Sequence, residues 1–321
     1  LKLMQHRGAQ RITFSEHTNS AIISGKLDEK ESTSHYIPYF VGGKAKNEKA
    51  VSFLMFGDMM LDRSVAVRIA ENGGAKYLFE HLAGREERFF QGSDVVMANL
   101  EGAMVQNRIQ TSKSIAFRFD PALTSTLRHY GFNLFTLANN HSLDMGRAGF
   151  EETKQHLDEA DIQYFGNQFT VQDDSLYIQT IADKTIAHIG LNDTHNSMNM
   201  QTVEELFQRA SSSDYIIVNI HWGQEYKKLS NQRQRDLAQQ FIDWGAHAVI
   251  GHHPHVVQEM EVYKNKPIFY SLGNFIFDQY FSVPTQQSLG VGMVFYPNKT
   301  SVTVFPLKGV QSQVQYMNPQ E

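Results

Sequence analysis

Five times in this chain a short apolar run breaks off into side chains that carry oxygen or imidazole nitrogen. Residues 51–56 end at Gly57-Asp58, 95–100 at Glu101-Gly102, 134–138 at Asn139-Asn140-His141, 216–220 at His221-Trp222-Gly223, and 248–250 at Gly251-His252-His253-Pro254-His255. Apolar runs this short, closed by turn-forming residues, read as buried strands. Helical patterns separate them. Residues 122–130 follow Asp120-Pro121, a cap with a first-turn proline. Residues 149–160 carry Phe150, Leu157 and Ala160 among acidic neighbours, and 231–244 place Leu237, Phe241 and Trp244 at helical spacing. Strands alternating with helices predict an α/β fold. Side chains at the carboxyl ends of strands gather in such folds, so the five polar endings are expected to meet on one sheet edge.

The flanks differ from this middle. Residues 1–50 are polar and weakly periodic, with Pro38 and Gly42-Gly43-Lys44, which predicts an N-terminal linker or peripheral segment. Its apolar patch, residues 36–40, is expected to dock on the main domain, residues 51–321. Towards the other end, 267–271, 291–296 and 301–305 are β-rich, and Pro297-Asn298-Lys299 reads as a hairpin turn. They predict a second sheet packed on the first within the same domain.

Composition limits the chemistry. The 321 residues include no cysteine, which excludes disulfides, zinc–thiolate sites and thiol catalysis. Any metal must be held by His, carboxylate or amide groups. A 41% hydrophobic, 20% charged chain is globular in balance, and a net charge of −5 gives no pull towards nucleic acid, so no nucleic-acid partner is expected. No apolar run reaches the length of a membrane span. The chain opens on Leu1. That is read as a cut edge, with an anchor or signal preceding it.

Taken singly, several of the strand-end groups have ordinary readings. Asp58 could cap a helix, Glu101 could be a solvated loop carboxylate, Asn139-Asn140-His141 could be a turn, and His221 could be a packed histidine. Three histidines in the four residues 252–255 are harder to explain by packing. Jointly the five endings favour a metal centre. Mixed oxygen and imidazole donors suit Zn²⁺, Mn²⁺, Fe or Co rather than Ca²⁺. Asp58, Glu101, Asn140, His141, His221, His253 and His255 are too many for one tetrahedral ion. They suit two ions about 3.5–4 Å apart sharing a carboxylate.

These residues also resemble a known family. Gly57-Asp58-Met59-Met60-Leu61-Asp62-Arg63, Asn99-Leu100-Glu101-Gly102, Ala138-Asn139-Asn140-His141, His221-Trp222-Gly223, Gly251-His252-His253-Pro254-His255 and Ser271-Leu272-Gly273-Asn274-Phe275 look like the poly-γ-glutamate capsule biosynthesis family, CapA. That family is similar in turn to the calcineurin-like metallophosphoesterases. The resemblance spans residues 51 to 310. It implies two packed mixed β-sheets flanked by helices, a metallophosphoesterase-like α/β/β/α sandwich. It also implies one or two divalent ions (Mn, Zn or Fe), with Asp58, Glu101, Asn140, His221, His253 and His255 as ligands and Glu101 in the bridging place. His141 takes the place of a substrate-facing acid, His252 that of a neighbour, and Arg63 could reach a phosphate or carboxylate, although a surface ion pair reads equally well. Asn274 is expected to line the site. Met60 stands where the phosphoesterases carry a histidine ligand, so an asymmetric site is expected, with one ion held firmly near His221, His253 and His255 and one labile or absent near Asp58.

The function implied is that of a cell-envelope metalloprotein in the biosynthesis, export or anchoring of an anionic polymer such as poly-γ-glutamate. It would work beside a membrane synthase, with a hydrolase-like centre. Three alternatives stay open: a phosphoesterase on an envelope phosphate ester, a non-catalytic accessory subunit of the synthase, and a proton-abstracting enzyme using His141 or Glu101.

Overall fold

A computed structural model describes residues 10–15, 22–23, 50–83, 89–169, 171, 173–195, 198–297 and 299–317. Two sheets carry the chain. The first has ten strands, on a path Ile22–Ile23, Gln10–Ser15, Lys299–Val310, Gln287–Tyr296, Val51–Met59, Val95–Leu100, Leu134–Thr136 and Gln163–Phe165. Asn274–Ile276 joins it beside Val51–Met59, and Gln313–Tyr316 beside Lys299–Val310. The second has six strands, ordered Met260–Tyr263, Lys266–Phe269, Ala248–His252, Tyr215–His221, Lys184–Asn192 and Leu176–Ile181. The central strands of each sheet run parallel, so their carboxyl ends emerge together.

Each sheet is apolar on both faces, which is why its runs show no alternation. In Val51–Met59, Phe53 and Met55 face the second sheet, meeting Ile217 and Ile250. Leu54 and Phe56 face outward against helices that contribute Val65, Leu82, Leu127 and Leu157. The outer face of the second sheet, with Ile216, Val218 and Val249, is covered by Val203, Phe207, Leu237 and Phe241 of Met200–Ala210 and Gln232–Asp243. The layers are therefore helix, sheet, sheet, helix, the sandwich that the family resemblance implies.

Two expectations are corrected. The β-rich end divides between the sheets: Lys266–Phe269 enters the second beside Ala248–His252, whereas Gln287–Tyr296 and Lys299–Val310 pair antiparallel and join the first through Val291 opposite Met55. Tyr296 opposite Lys299 closes the expected hairpin. Tyr215–His221 and Ala248–His252 form the heart of the second sheet instead. Nor do the polar endings share one sheet edge. Asp58, Glu101 and Asn140 leave the first sheet, and His221, His253 and His255 leave the second. Runs buried on both faces look alike whichever sheet they enter.

The expected helices form as Leu123–His129, Gly146–Glu159 and Gln232–Asp243. The last starts on a reciprocal cap: Asn231 Oδ1 accepts the Gln234 N–H, and Gln234 Oε1 accepts the Asn231 N–H, both at 2.9 Å. Gln10–Ser15 pairs with Lys299–Val310 and thus belongs to the first sheet. Residues 36–40, expected to dock on the domain, lie outside the described residues. Among the described residues no helix is long and apolar enough to cross a membrane.

Candidate metal centre

Two glycines let the strand ends close on one another. A Cβ on Gly57 would fall 1.9 Å from the Gly273 carbonyl oxygen, and one on Gly251 would fall 2.0 Å from that of Tyr270. No other residue type permits backbones to approach so closely. The next residue, Asp58, donates its backbone N–H to Gly273 O at 3.0 Å and is fully buried.

Asp58 ties the two sheets together. Its carboxylate accepts from Asn99 Nδ2 at 2.8 Å and from the His253 backbone N–H at 3.2 Å. His252 Nδ1 and His255 Nδ1 stand 3.5 and 3.4 Å away. Burial alone would raise its pKa, but hydrogen bonds from His252 and His255, and the charges of His255 and His221, hold it well below the usual carboxylate value. Asn99 Nδ2 also lies 3.2 Å from His221 Nδ1, and His221 Nε2 lies 2.9 Å from Asn140 Oδ1. His253 and His255 both adopt positive φ, 96° and 57°, on either side of Pro254. Such strained backbone persists where the surroundings enforce it, often at functional sites.

Glu101 is the anomaly. It is fully buried, and neither carboxylate oxygen has a hydrogen-bond partner. Its neighbours are imidazoles at longer range, His255 Nε2 at 3.7 Å and His141 Nε2 at 4.0 Å. Burial, and then the nearby charge of Asp58, push its pKa well above normal, against the opposing pull of His255. Burying a carboxyl group without donors costs free energy, and a cation is the usual compensation. Burial also drives His221 well down and His253 down to about 3, so both rings are neutral, as metal ligands must be. His255 is the exception: against the effect of burial, the charges of Glu101 and Asp58 raise it to about 9. The donor set and the unpartnered Glu101 fit a divalent cation.

His141 sits at the open side. Its Nδ1 is 2.7 Å from Asp144 Oδ2, and Asp144 also accepts from the Phe117 N–H at 2.7 Å and from Lys113 Nζ at 2.6 Å. The imidazole packs on Phe117 with ring centroids 4.3 Å apart. Arg63 lies over the same ring at 4.8 Å and pairs with Asp278.

The family model described as "Bacterial capsule synthesis protein PGA_cap" matches residues 52–279. The chain belongs to that family. It is 32% identical to "Capsule biosynthesis protein CapA" of Bacillus anthracis, over 73% of this chain and 61% of the relative. It is equally similar, at 32%, to "PGA biosynthesis protein CapA" of Bacillus subtilis (strain 168), over 74% of this chain and 66% of that relative. The chain thus spans less than two thirds of the length of these two relatives. Its fold is shared with a crystal structure described as a novel phosphatase from Mycoplasma pneumoniae. The TM-score is 0.51 at 13% identity, covering 85% of this chain and 96% of the other.

In this capsule synthesis family member, Asp58, Glu101, Asn140, His141, His221, His253 and His255 meet in one place, as expected. His252 is buried behind Asp58, with Nε2 3.4 Å from Asn219 Oδ1. Met60 is fully buried in the apolar cluster under the first sheet, and its sulfur accepts the Asp62 N–H at 3.1 Å. The sequence reading gave no role to Asn99, Asp144 or Glu225. Asn99 was hidden inside an apolar run. Asp144 lies three residues beyond His141, and Glu225 lies four residues beyond His221; both spacings were available signals.

Proposed function

We propose that this chain is a divalent-metal protein of the cell envelope with a hydrolase-like centre, working in the synthesis, export or anchoring of an anionic capsule polymer such as poly-γ-glutamate. The observation that carries the metal part is the buried Glu101 carboxyl, unpartnered among Asp58, His221, His253 and His255. The polymer part is supported by relatives named for capsule and PGA biosynthesis.

Asp58, Glu101, Asn140, His221, His253 and His255 would hold Mn, Zn or Fe, one or two ions per chain. Bound there, such an ion supplies an acidified water and a site for an anionic oxygen. The protein's own groups do the rest. Asn99 braces Asp58 and His221. Asp144 holds the His141 ring, so that Nε2 faces the centre and can give a proton to a leaving group. Arg63, neutralised in part by Asp278, borders the opening and can meet an anionic substrate. That arrangement also favours the second reading, a phosphoesterase acting on an envelope phosphate ester. A membrane-bound synthase is the proposed partner, and an extracytoplasmic, membrane-anchored location follows from that role.

The test pairs metal content per purified chain with two assays, turnover of a generic phosphodiester in Mn²⁺ and binding of poly-γ-glutamate. Metal with polymer binding supports the first reading, and metal with phosphodiester turnover alone supports the second. Protein that takes up no metal contradicts both.

A further inference from the structure

Glu225 lies outside the strand-end pattern, in the exposed loop after Tyr215–His221. Its carboxylate and ring nitrogens of His253 and His255 nevertheless lie within 4.8 Å of one another. A second group, Asp58, Glu101 and His221, is equally close-set and wholly buried.

A path of hydrogen bonds fixes Glu225 to the site. His255 Nδ1 is 2.9 Å from Asn274 Oδ1. Asn274 Nδ2 donates to Gln279 Oε1 and to the Thr285 carbonyl, both at 3.0 Å, and the carbonyl can only accept, which fixes the amide's orientation. Gln279 Nε2 then donates to the Tyr226 hydroxyl at 3.2 Å. Having accepted there, the hydroxyl directs its proton to Glu225, with which Tyr226 is hydrogen-bonded. All donors point one way, from imidazole to carboxylate. His255 is thereby held with Nδ1 engaged and Nε2 turned to the acids. The backbone is clamped as well: Tyr226 N donates to Pro254 O at 2.8 Å, and Tyr226 takes a φ of 64°.

We propose that Glu225 is a metal ligand and forms, with His253 and His255, the outer half of a two-ion centre. This rests on the metal reading above and deepens it. One carboxylate and two imidazoles suit Zn²⁺, Mn²⁺ or Fe²⁺ and leave coordination positions free for water or substrate. The inner group, closed in by the strand ends, holds its ion firmly. The outer one, with a ligand on an exposed loop, exchanges.

Calorimetric titration of metal-stripped protein with Mn²⁺ tests this. The unaltered chain is expected to bind in two unequal steps. Glu225→Gln should weaken the weaker step about tenfold or more and leave the tighter one, and Tyr226→Phe should weaken the same step by a smaller factor. Should Glu225→Gln misfold in a thermal melt, Glu225→Asp, which keeps the charge and shortens the reach, should give the same selective loss. Two steps that both survive these changes overturn the proposal, and so does a single step in the unaltered chain. Loss of the tight step in Glu101→Gln shows that the metal reading stands even if Glu225 fails. Absence of any Mn²⁺ uptake overturns both.

Discussion

Glu101 separates a ligand from a packing residue. A carboxyl group that is buried and unpartnered destabilises the metal-free fold. Glu101→Gln should therefore lower metal affinity at least 100-fold while leaving the melting temperature of the stripped protein unchanged or higher. A structural carboxylate would show the reverse, a lower melting temperature with metal binding intact. Asp144 calls for a different experiment, since it touches His141 and no candidate ligand carboxylate. Asp144→Asn should cut any hydrolytic turnover by about 10²-fold or more, on the scale of general acid–base catalysis, with metal content unaltered. Met60 packs in the apolar cluster. Met60→Leu conserves volume, so it should cost less than about 1.5 kcal/mol and shift no metal step. At this scale the sequence was informative wherever a polar residue ended an apolar run. It was silent on Asn99, because a buried asparagine inside a strand carries no periodic signature.

Elements matter here because strand ends and the tight turns that follow them aim the buried candidate ligands. Gly57 and Gly251 are where two backbones come within the reach of a single Cβ. Gly57→Ala should cost about 2 kcal/mol or more, since the atom in the way is a backbone carbonyl that cannot rotate aside. It should also weaken metal binding, because Asp58 is the next residue. Denaturant unfolding together with metal titration of the same variant checks both. Legibility varied by element. The five strands showed as apolar runs, and Gln232–Asp243 showed through the helical spacing of Leu237, Phe241 and Trp244. The strands Leu176–Ile181 and Lys184–Asn192 were missed, because the first alternates between half-buried and exposed positions and the second opens on Lys184-Thr185. Arg63–Glu71 was missed because Val65 is its one buried residue. The assignment of strands to sheets was not legible at all, since burial on both faces erases the difference.

At the scale of the whole molecule, two histidines outside the site tie stability to pH. His188 is enclosed between the sheets, where Phe53 and Phe165 surround it, and burial lowers its pKa to about 3. His247, which accepts the Ile216 N–H at 3.1 Å, is lowered by burial, and then by the charge of Lys266, to about 4. Unfolded, each titrates near 6.5. As pH falls below 6.5 the unfolded chain takes up protons that the folded chain refuses. Stability from these groups is thus complete above 6.5 and declines as pH falls towards 4 and then 3. The slope is about 1.4 kcal/mol per pH unit for each histidine. His188→Gln should lower the slope by about 1.4 kcal/mol per pH unit in urea unfolding measured between pH 6 and 4.5, whereas an unchanged slope would place the proton uptake elsewhere.

The sandwich brings the carboxyl ends of the parallel central strands of both sheets to one point, where the candidate ligands gather. The direct measurement is metal per chain by elemental mass spectrometry, on protein stripped and then re-equilibrated with Mn²⁺, Zn²⁺ or Fe²⁺, beside a His221→Ala/His253→Ala double variant confirmed as folded. The expected result is one to two ions in the unaltered chain and fewer than one in the variant. A folded, unaltered chain that stays metal-free in all three ions, or a variant that binds as much as its parent, would contradict it.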